Sequence, residues 1–309
     1  MSILCVGSVA LDSVETPFGS AERVVGGSAV FFSAAASLFH PVQLVGVVGE
    51  DYPLPELDFL AARGADLSGI ERRTGESFFW AGRYHFDLNT RDTLETRLGV
   101  FADFQPRIPG SFRGARFVFL GNIDPVLQHE VLDQVEAPEI VACDTMNYWI
   151  SGSREALLEL LTRVHILIVN DEEVRQLAGE PNLLKAARWV QERGPDIVVV
   201  KKGEHGAILF ADDWIFFVPG FPLEEVFDPT GAGDAFAGGF VGHLARVGSL
   251  TPSDLRRAMV YGSVMGSYVV EEFSVRRLID LPRGDIERRL VEFREITAFE
   301  TQVPAEGHV

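Results

Sequence analysis

The sequence predicts an α/β fold: a doubly wound, mostly parallel sheet flanked by helices, with a small β-sheet lid. Three observations lead there. Six almost unbroken apolar runs ("ILCVG", "VQLVGVVG", "RFVFLG", "EIVACD", "HILIVN" and "DIVVVKKG") recur along the chain, separated by stretches long enough for crossover helices. Strands covered by helices on both faces have no wet side, so their side chains need not alternate between apolar and polar. One region breaks this rhythm. Residues 72–101, "RRTGESFFWAGRYHFDLNTRDTLETRLGVF", are aromatic, β-branched and polar without a helical period, the pattern of antiparallel strands. Finally, the C-terminal part turns helical, from "GAGDAFAGGFVGHLARVG" through "PSDLRRAMVYGSVMGSYVVEEF" to "RGDIERRLVEFREIT".

In chain order, the first run is a buried strand that ends at "GSVALD". Residues 13–25, "SVETPFGSAERVV", join 72–101 in the lid sheet, leaving 1–12, 26–71 and 102–309 as the α/β core. "AVFFSAAASLF" reads as a core helix. Cys5 and Cys143 sit inside apolar runs, where a thiol is a small buried hydrophobe rather than a disulfide, metal or nucleophile site. Pro252 and Ser253 suit a helix start, because the N–H that proline lacks has no partner in the first turn. The tail "QVPAEGHV" is expected to fray.

The formal charge of −18 opposes approach to DNA, RNA or an anionic membrane, so none of these is expected as a partner. The same field is awkward for a nucleotide triphosphate. A chain that binds one must neutralise it locally, with backbone dipoles and a divalent cation. With no basic and apolar signal segment before the first strand and no apolar stretch near ~18 residues, a cytoplasmic location is expected.

Residues 228–236, "DPTGAGDAF", put two glycines beside a carboxylate. If a helix starts near Ala232, the N–H groups of Gly231, Ala232, Gly233 and Asp234 lack intrahelical partners and form an anion site. The stretch has neither the Lys-Ser/Thr ending of a P-loop nor the third glycine of a dinucleotide fingerprint. At a helix N-terminus the dipole favours the ionised form of Asp234, which can then take a proton from an incoming hydroxyl. A base beside an anion hole points to phosphoryl transfer. Two other readings stand beside it: Asp234 as a plain first-turn acid packed for geometric reasons, and Asp228 as a phosphatase-type aspartyl nucleophile.

"DPTGAGDAFAGGF" resembles the second signature of the ribokinase-like (PfkB) carbohydrate kinases, and the order of other features agrees over nearly the whole chain. The resemblance implies an ATP-dependent kinase with an α/β core and a β lid that transfers the γ-phosphoryl group to a hydroxyl of a sugar or sugar-like substrate. It gives Asp234 the role of base and the backbone of Gly231, Ala232 and Gly233 that of anion hole. A nucleoside kinase of the same fold is the alternative. A non-catalytic nucleotide- or sugar-binding regulator is another, although binding alone gains nothing from a carboxylate facing phosphates. A nicotinamide-dependent dehydrogenase would want G-x-G-x-x-G after the first strand, which "CVGSVALD" lacks.

Other motifs follow the same resemblance. "VNDEE" matches the family's Asn-x-x-Glu, which organises Mg²⁺ through water, at Asn170 and Glu173; a hard cation suits these oxygens, and a helix cap with a first-turn Glu is the competing reading. Asp12 in "GSVALD" takes the place of the carboxylate that holds substrate hydroxyls, with an Asx turn as its rival. "GGSAVFFSAAA" resembles the first signature and contributes Gly26, Gly27 and Ser28 to the substrate side, but Phe31 stands where the family has Asn. "VVVKKGEHGAIL" corresponds to the nucleotide-binding strand and turn, with Lys201, Gly203 and Gly206, and "FLGNID" offers Asn122 as a substrate contact. The start of the second signature, Asp228 and Thr230, matches a monovalent-cation (K⁺) position, and the resemblance also implies a homodimer formed through the lid. Trp80, Tyr84 and Trp149 are candidates to stack on a ring-shaped substrate, with ordinary packing as the alternative. His40, His85, His129, His165, His205, His243 and His308 show no metal-ligand spacing.

Overall fold

The structure, a computed structural model, describes residues 2–299; the tail 302–309, with His308, lies outside them. In chain order the strands are β1 (Ile3–Val6), β2 (Ala10–Thr16), β3 (Gly19–Gly26), β4 (Val42–Val48), β5 (Asp66–Arg72), β6 (Phe78–Tyr84), β7 (Arg91–Arg97), β8 (Phe117–Leu120), β9 (Ile140–Asp144), β10 (Ile166–Asn170), β11 (Ile197–Lys201), β12 (Ala207–Ala211) and β13 (Trp214–Val218). Nine of them form one sheet in the order β13-β12-β11-β10-β9-β8-β1-β4-β5. The strands from β11 to β5 run parallel, and β12 and β13 close one edge antiparallel.

All six apolar runs are parallel strands of this sheet, and β1 shows why they are continuously apolar. Its alternate residues enter two different cores: Ile3 and Cys5 pack with Phe32, Phe240 and Met265, whereas Leu4 and Val6 pack with Val131, Leu157 and Val174. Helices therefore cover both faces. Ser28–Ala36, Ala232–Val247 and Pro252–Val269 lie on one side; Pro125–Gln134, Arg154–Leu161, Asp171–Ala178 and Leu183–Gln191 lie on the other. Phe32 stacks on Phe119 with centroids 3.8 Å apart, pinning the helix Ser28–Ala36 to the sheet. The small residues of Ala232–Val247 allow close approach to that helix: a Cβ on Gly238 would stand 2.4 Å from the Phe32 carbonyl oxygen. Both cysteines are buried free thiols.

Four strands form the second, smaller sheet, in the order β3-β2-β6-β7. It draws on the two segments that break the parallel rhythm. Its second strand starts at Ala10, so Asp12 belongs to this sheet and not to the end of the first strand, where the sequence reading put it. The register sets Asp12 beside Trp80 and Tyr84 beside Arg91. Residues two apart share a face, so these four side chains lie on one face. That face looks toward the core, because Thr16 on β2 donates to the carbonyl of Phe227 at 2.9 Å and Thr230 donates to the Tyr84 hydroxyl at 3.3 Å. Among the described residues no helix is long and apolar enough to cross a membrane.

Candidate active site

The polar residues of the site stand where parallel strands end. Along the carboxyl edge of the larger sheet, Lys201 closes β11, Asn170 closes β10, Asp144 closes β9, Asn122 follows β8, and Gly7 and Ser8 follow β1. Open α/β sheets bind ligands at this edge because the loops there leave a crevice.

Across it stands the glycine stretch. Gly231 caps the helix Ala232–Val247 with φ 75°, a left-handed conformation that favours glycine. The N–H groups of Gly231, Gly233 and Asp234 have no hydrogen-bond partner among the described residues, but that of Ala232 donates to the Pro229 carbonyl at 3.2 Å. Ala232 is thus turned inward, and the cradle is made by its neighbours. Asp234 is partly buried in the first turn, and its carboxyl makes no hydrogen bond or ion pair among the described residues. Burial, followed by the charge of Asp144, pushes this carboxyl up to about 7, against the pull of Lys201 and Arg91.

Lys201 reaches across β10 to Asp144, with Nζ 3.7 Å from Oδ1, both side chains largely buried. A Cβ on Gly233 would stand 2.8 Å from the same ammonium nitrogen, so Lys201 lies against the anion cradle. Burial alone would lower the Lys201 pKa; Asp144, Glu173 and Asp234 together hold it above its ordinary value. Burial raises Asp144, opposed by Lys201.

Asn170 and Glu173 form a full capping box: the Asn170 side chain accepts from the Glu173 N–H at 2.7 Å, and Glu173 Oε2 accepts from the Asn170 N–H at 2.8 Å. The helix-cap reading of this motif is therefore realised, yet among the described residues Glu173 Oε1 has no hydrogen-bond partner, and burial with Asp144 nearby pushes the carboxyl to about 7. Among the described residues no cluster of three His, Cys, Asp or Glu side chains could hold a metal by itself.

On the acceptor side, Asp12 is buried with its carboxylate directly over Gly26, where a Cβ would stand 2.0 Å from Oδ2. Burial and Asp228 push Asp12 up to about 7, opposed by a hydrogen bond from the Gly27 backbone. Gly27 has φ 94° and leaves no room for a side chain beside the Ser8 carbonyl. Ser28 is otherwise occupied: it is buried and exchanges hydrogen bonds with Ser8, which places its hydroxyl in the join between helix and β1. Asn122 accepts from Trp149 Nε1 at 3.0 Å.

Asp228 is buried, accepting from the N–H groups of Thr230 at 2.9 Å and Ser274 at 3.2 Å. These bonds tie the glycine stretch to the segment after the helix Pro252–Val269. Tyr84 is buried too, with its hydroxyl on Thr230, so it joins the smaller sheet to the core instead of offering a face to a ring. Trp80 keeps its place on the inward face, its ring against Gly82.

A cavity of about 370 Å³ opens beside Lys201, Gly203, Gly206 and Gly233. Phe221, Leu223, Val226 and Phe236 give it an apolar lining, and Asp87, Leu88 and Asn89 from the loop joining β6 and β7 line it as well. Two charged groups of the site escaped the sequence reading, Asp144 beside Lys201 and Arg91 on β7. Asp144 carried a usable signal, a carboxylate closing an apolar strand just as Asn170 and Lys201 do; Arg91 carried none.

The pattern of the "pfkB family carbohydrate kinase" matches residues 112–281, more than half of the 309-residue chain. The chain belongs to the pfkB carbohydrate kinase family. It is a small-molecule kinase of the sugar and nucleoside kinase class, a phosphotransferase with an alcohol group as acceptor. A cytidine kinase of Thermococcus kodakarensis is 29% identical over 252 residues, 80% of this chain and 89% of the relative. The nucleoside kinase of Burkholderia thailandensis, solved in complex with inosine, superposes with a TM-score of 0.79 at 21% identity, covering 96% of this chain and 98% of the other. A putative ribokinase II from E. coli, solved with ATP and Mg²⁺, gives 0.78 at 19% identity over 94% and 99%. These two structures share the ribokinase-like fold.

Proposed function

We propose that this pfkB family member is a nucleoside kinase that transfers the γ-phosphoryl group of Mg²⁺·ATP to a ribose hydroxyl. The observation that carries it is Asp234: a carboxyl with no partner among the described residues, at the rim of an N–H cradle, raised to about 7 where a general base works best. The cytidine kinase likeness over most of the chain, and two ring-bearing side chains, Trp80 beside the acceptor carboxylate of Asp12 and Trp149 against Asn122, favour a nucleoside over a free sugar.

In this reading Asp12 holds ribose hydroxyls and Asp234 takes the proton of the attacking one. The N–H groups of Gly231, Gly233 and Asp234, with Lys201, neutralise the transferring phosphoryl group, and Gly203 and Gly206 flank the nucleotide. The unengaged oxygen of buried Glu173 and the amide of Asn170 suit Mg²⁺ and its waters. When bound, the metal screens phosphate charge and fixes the phosphate geometry. Asp228, buried with two N–H donors and no cation partner among the described residues, suits a monovalent cation such as K⁺, with Thr230 beside it. The smaller sheet serves as the lid that excludes water during transfer.

The test is an ADP-release screen with Mg²⁺·ATP over cytidine, adenosine, guanosine, inosine and uridine against ribose, fructose and myo-inositol, with and without K⁺. The highest kcat/KM is expected for a nucleoside. Turnover confined to free sugars or inositol would overturn the assignment.

A further inference from the structure

We propose that Leu88, at the tip of the loop joining β6 and β7, is a further binding residue of the donor site, where it packs on the adenosine part of the nucleotide. The inference rests on reading the cavity of about 370 Å³ as the donor site and adds to it an apolar contact from the smaller sheet. Asp87, Leu88 and Asn89 line that cavity together with Gly203, Gly206 and Gly233 of the core. Of the three loop residues only Leu88 is apolar. It is partly buried, so some of its surface remains available to a ligand.

The backbone of Leu88 is strained. Its φ is 56°, in the left-handed region where a bulky side chain is a steric outlier and a glycine or asparagine would sit at less cost. Such outliers persist where their surroundings impose them, and they gather at ligand clamps. Here the surroundings form a built turn. The Leu88 N–H donates to the His85 carbonyl at 3.0 Å, and the His85 N–H donates to the Thr90 carbonyl at 2.9 Å. Asp87 Oδ1 accepts from the N–H groups of Asn89 at 3.1 Å and Thr90 at 2.9 Å, while its Oδ2 accepts from the Thr90 hydroxyl at 2.7 Å. These bonds fix where Leu88 stands.

The next residue seats the turn on the core. Asn89 Nδ2 donates to Glu204 Oε1 at 3.5 Å, and a Cβ on Gly203 would stand 2.6 Å from Asn89 Oδ1. Gly203, with φ 55°, belongs to the turn assigned to the nucleotide. This contact brings Leu88 to a cavity whose core lining includes Phe221, Leu223, Val226 and Phe236. A purine and its ribose held among these side chains lose more water when the loop adds a leucine. Phe86, two positions before Leu88, is 88% exposed and stands outside the cavity lining.

The experiment titrates the Mg²⁺ complexes of ADP and of a non-hydrolysable β,γ-imido ATP analogue calorimetrically into the full chain and into Leu88→Asn, Leu88→Met and Phe86→Ala, with a thermal melt of each unliganded protein. Leu88→Asn should bind both nucleotides about five- to tenfold more weakly, because the lost contact is apolar and indifferent to the number of phosphates. It should melt at or above the parent's temperature, since asparagine tolerates the positive φ. Leu88→Met keeps the apolar bulk and should stay within about threefold of the parent's affinity. Phe86→Ala should match the parent. An unchanged affinity in Leu88→Asn, or a loss confined to the triphosphate analogue, overturns the proposal. A melting temperature that falls along with the affinity marks Leu88 as a structural residue and overturns it too. These readouts need no acceptor, so they stand apart from the nucleoside screen. A parent that binds neither nucleotide would instead overturn the donor-site reading, and this inference with it.

Discussion

The ring of Phe31 lies against Gly231: a Cβ built on that glycine would stand 2.2 Å from Phe31 Cγ. Phe31 is 2% exposed and belongs to the core on the side of the helix Ser28–Ala36. The residue that departs from the family's Asn is thus a buttress beneath the anion cradle, and its loss of polarity is compensated by packing. Gly231→Ala should distort the cradle through both the clash and the positive φ, costing about 2–4 kcal/mol in urea unfolding and most of the activity. Phe31→Asn should not restore a substrate contact. It should destabilise the fold by about 3–5 kcal/mol, since it opens a cavity and buries an amide.

Lys201 and Asp144 form a buried ion pair whose members fail differently from the pair. Lys201→Met leaves a buried carboxylate without its cation and should cost about 3–5 kcal/mol. Adding Asp144→Leu to Lys201→Met should recover much of that stability without recovering activity. Equilibrium unfolding and steady-state kinetics of the single and double variants separate the two effects.

The raised carboxyls predict a pH signature. Asp12, Glu173 and Asp234 hold their protons more tightly in the folded chain, at about 7, than in the unfolded chain, at about 4. Their contribution to stability is therefore fully present below about pH 4 and is lost as pH rises through about 7. Asp234→Asn removes one of these burdens, so it should raise the melting temperature at pH 8, with the difference shrinking toward pH 4. Wild-type kcat/KM should climb with pH along an acid limb near 7, as the base ionises. An identical melting offset at both pH values would count against a buried, raised Asp234.

The parts of this molecule that were legible in the sequence are those with a local cause. Continuous apolar runs mark the six central strands because two covered faces demand them, and the glycine stretch marks the helix start because an unpartnered N–H cradle needs that backbone. Strand β5 was not legible: at the sheet edge, "DLSGIER" is half exposed and carries too few apolar residues to stand out. Asp144 is drawn to Lys201 by the neighbouring positions of β9, β10 and β11, and Arg91 is drawn to the site by the pairing of β6 with β7. Sheet order and register are long-range facts that no short segment encodes. Tyr84 misled for the same reason, since its hydroxyl partner lies 146 positions away.

The whole account depends on Asp234 accepting the proton of the attacking hydroxyl, and one measurement bears on it most directly. That measurement is the single-turnover phosphoryl-transfer rate of Asp234→Asn with an accepted acceptor, taken together with its affinity for Mg²⁺·ATP. The rate should fall at least about a hundredfold while affinity stays within a few-fold. A variant that transfers phosphate at the wild-type rate, or a phosphorylated enzyme trapped on Asp228, would contradict it.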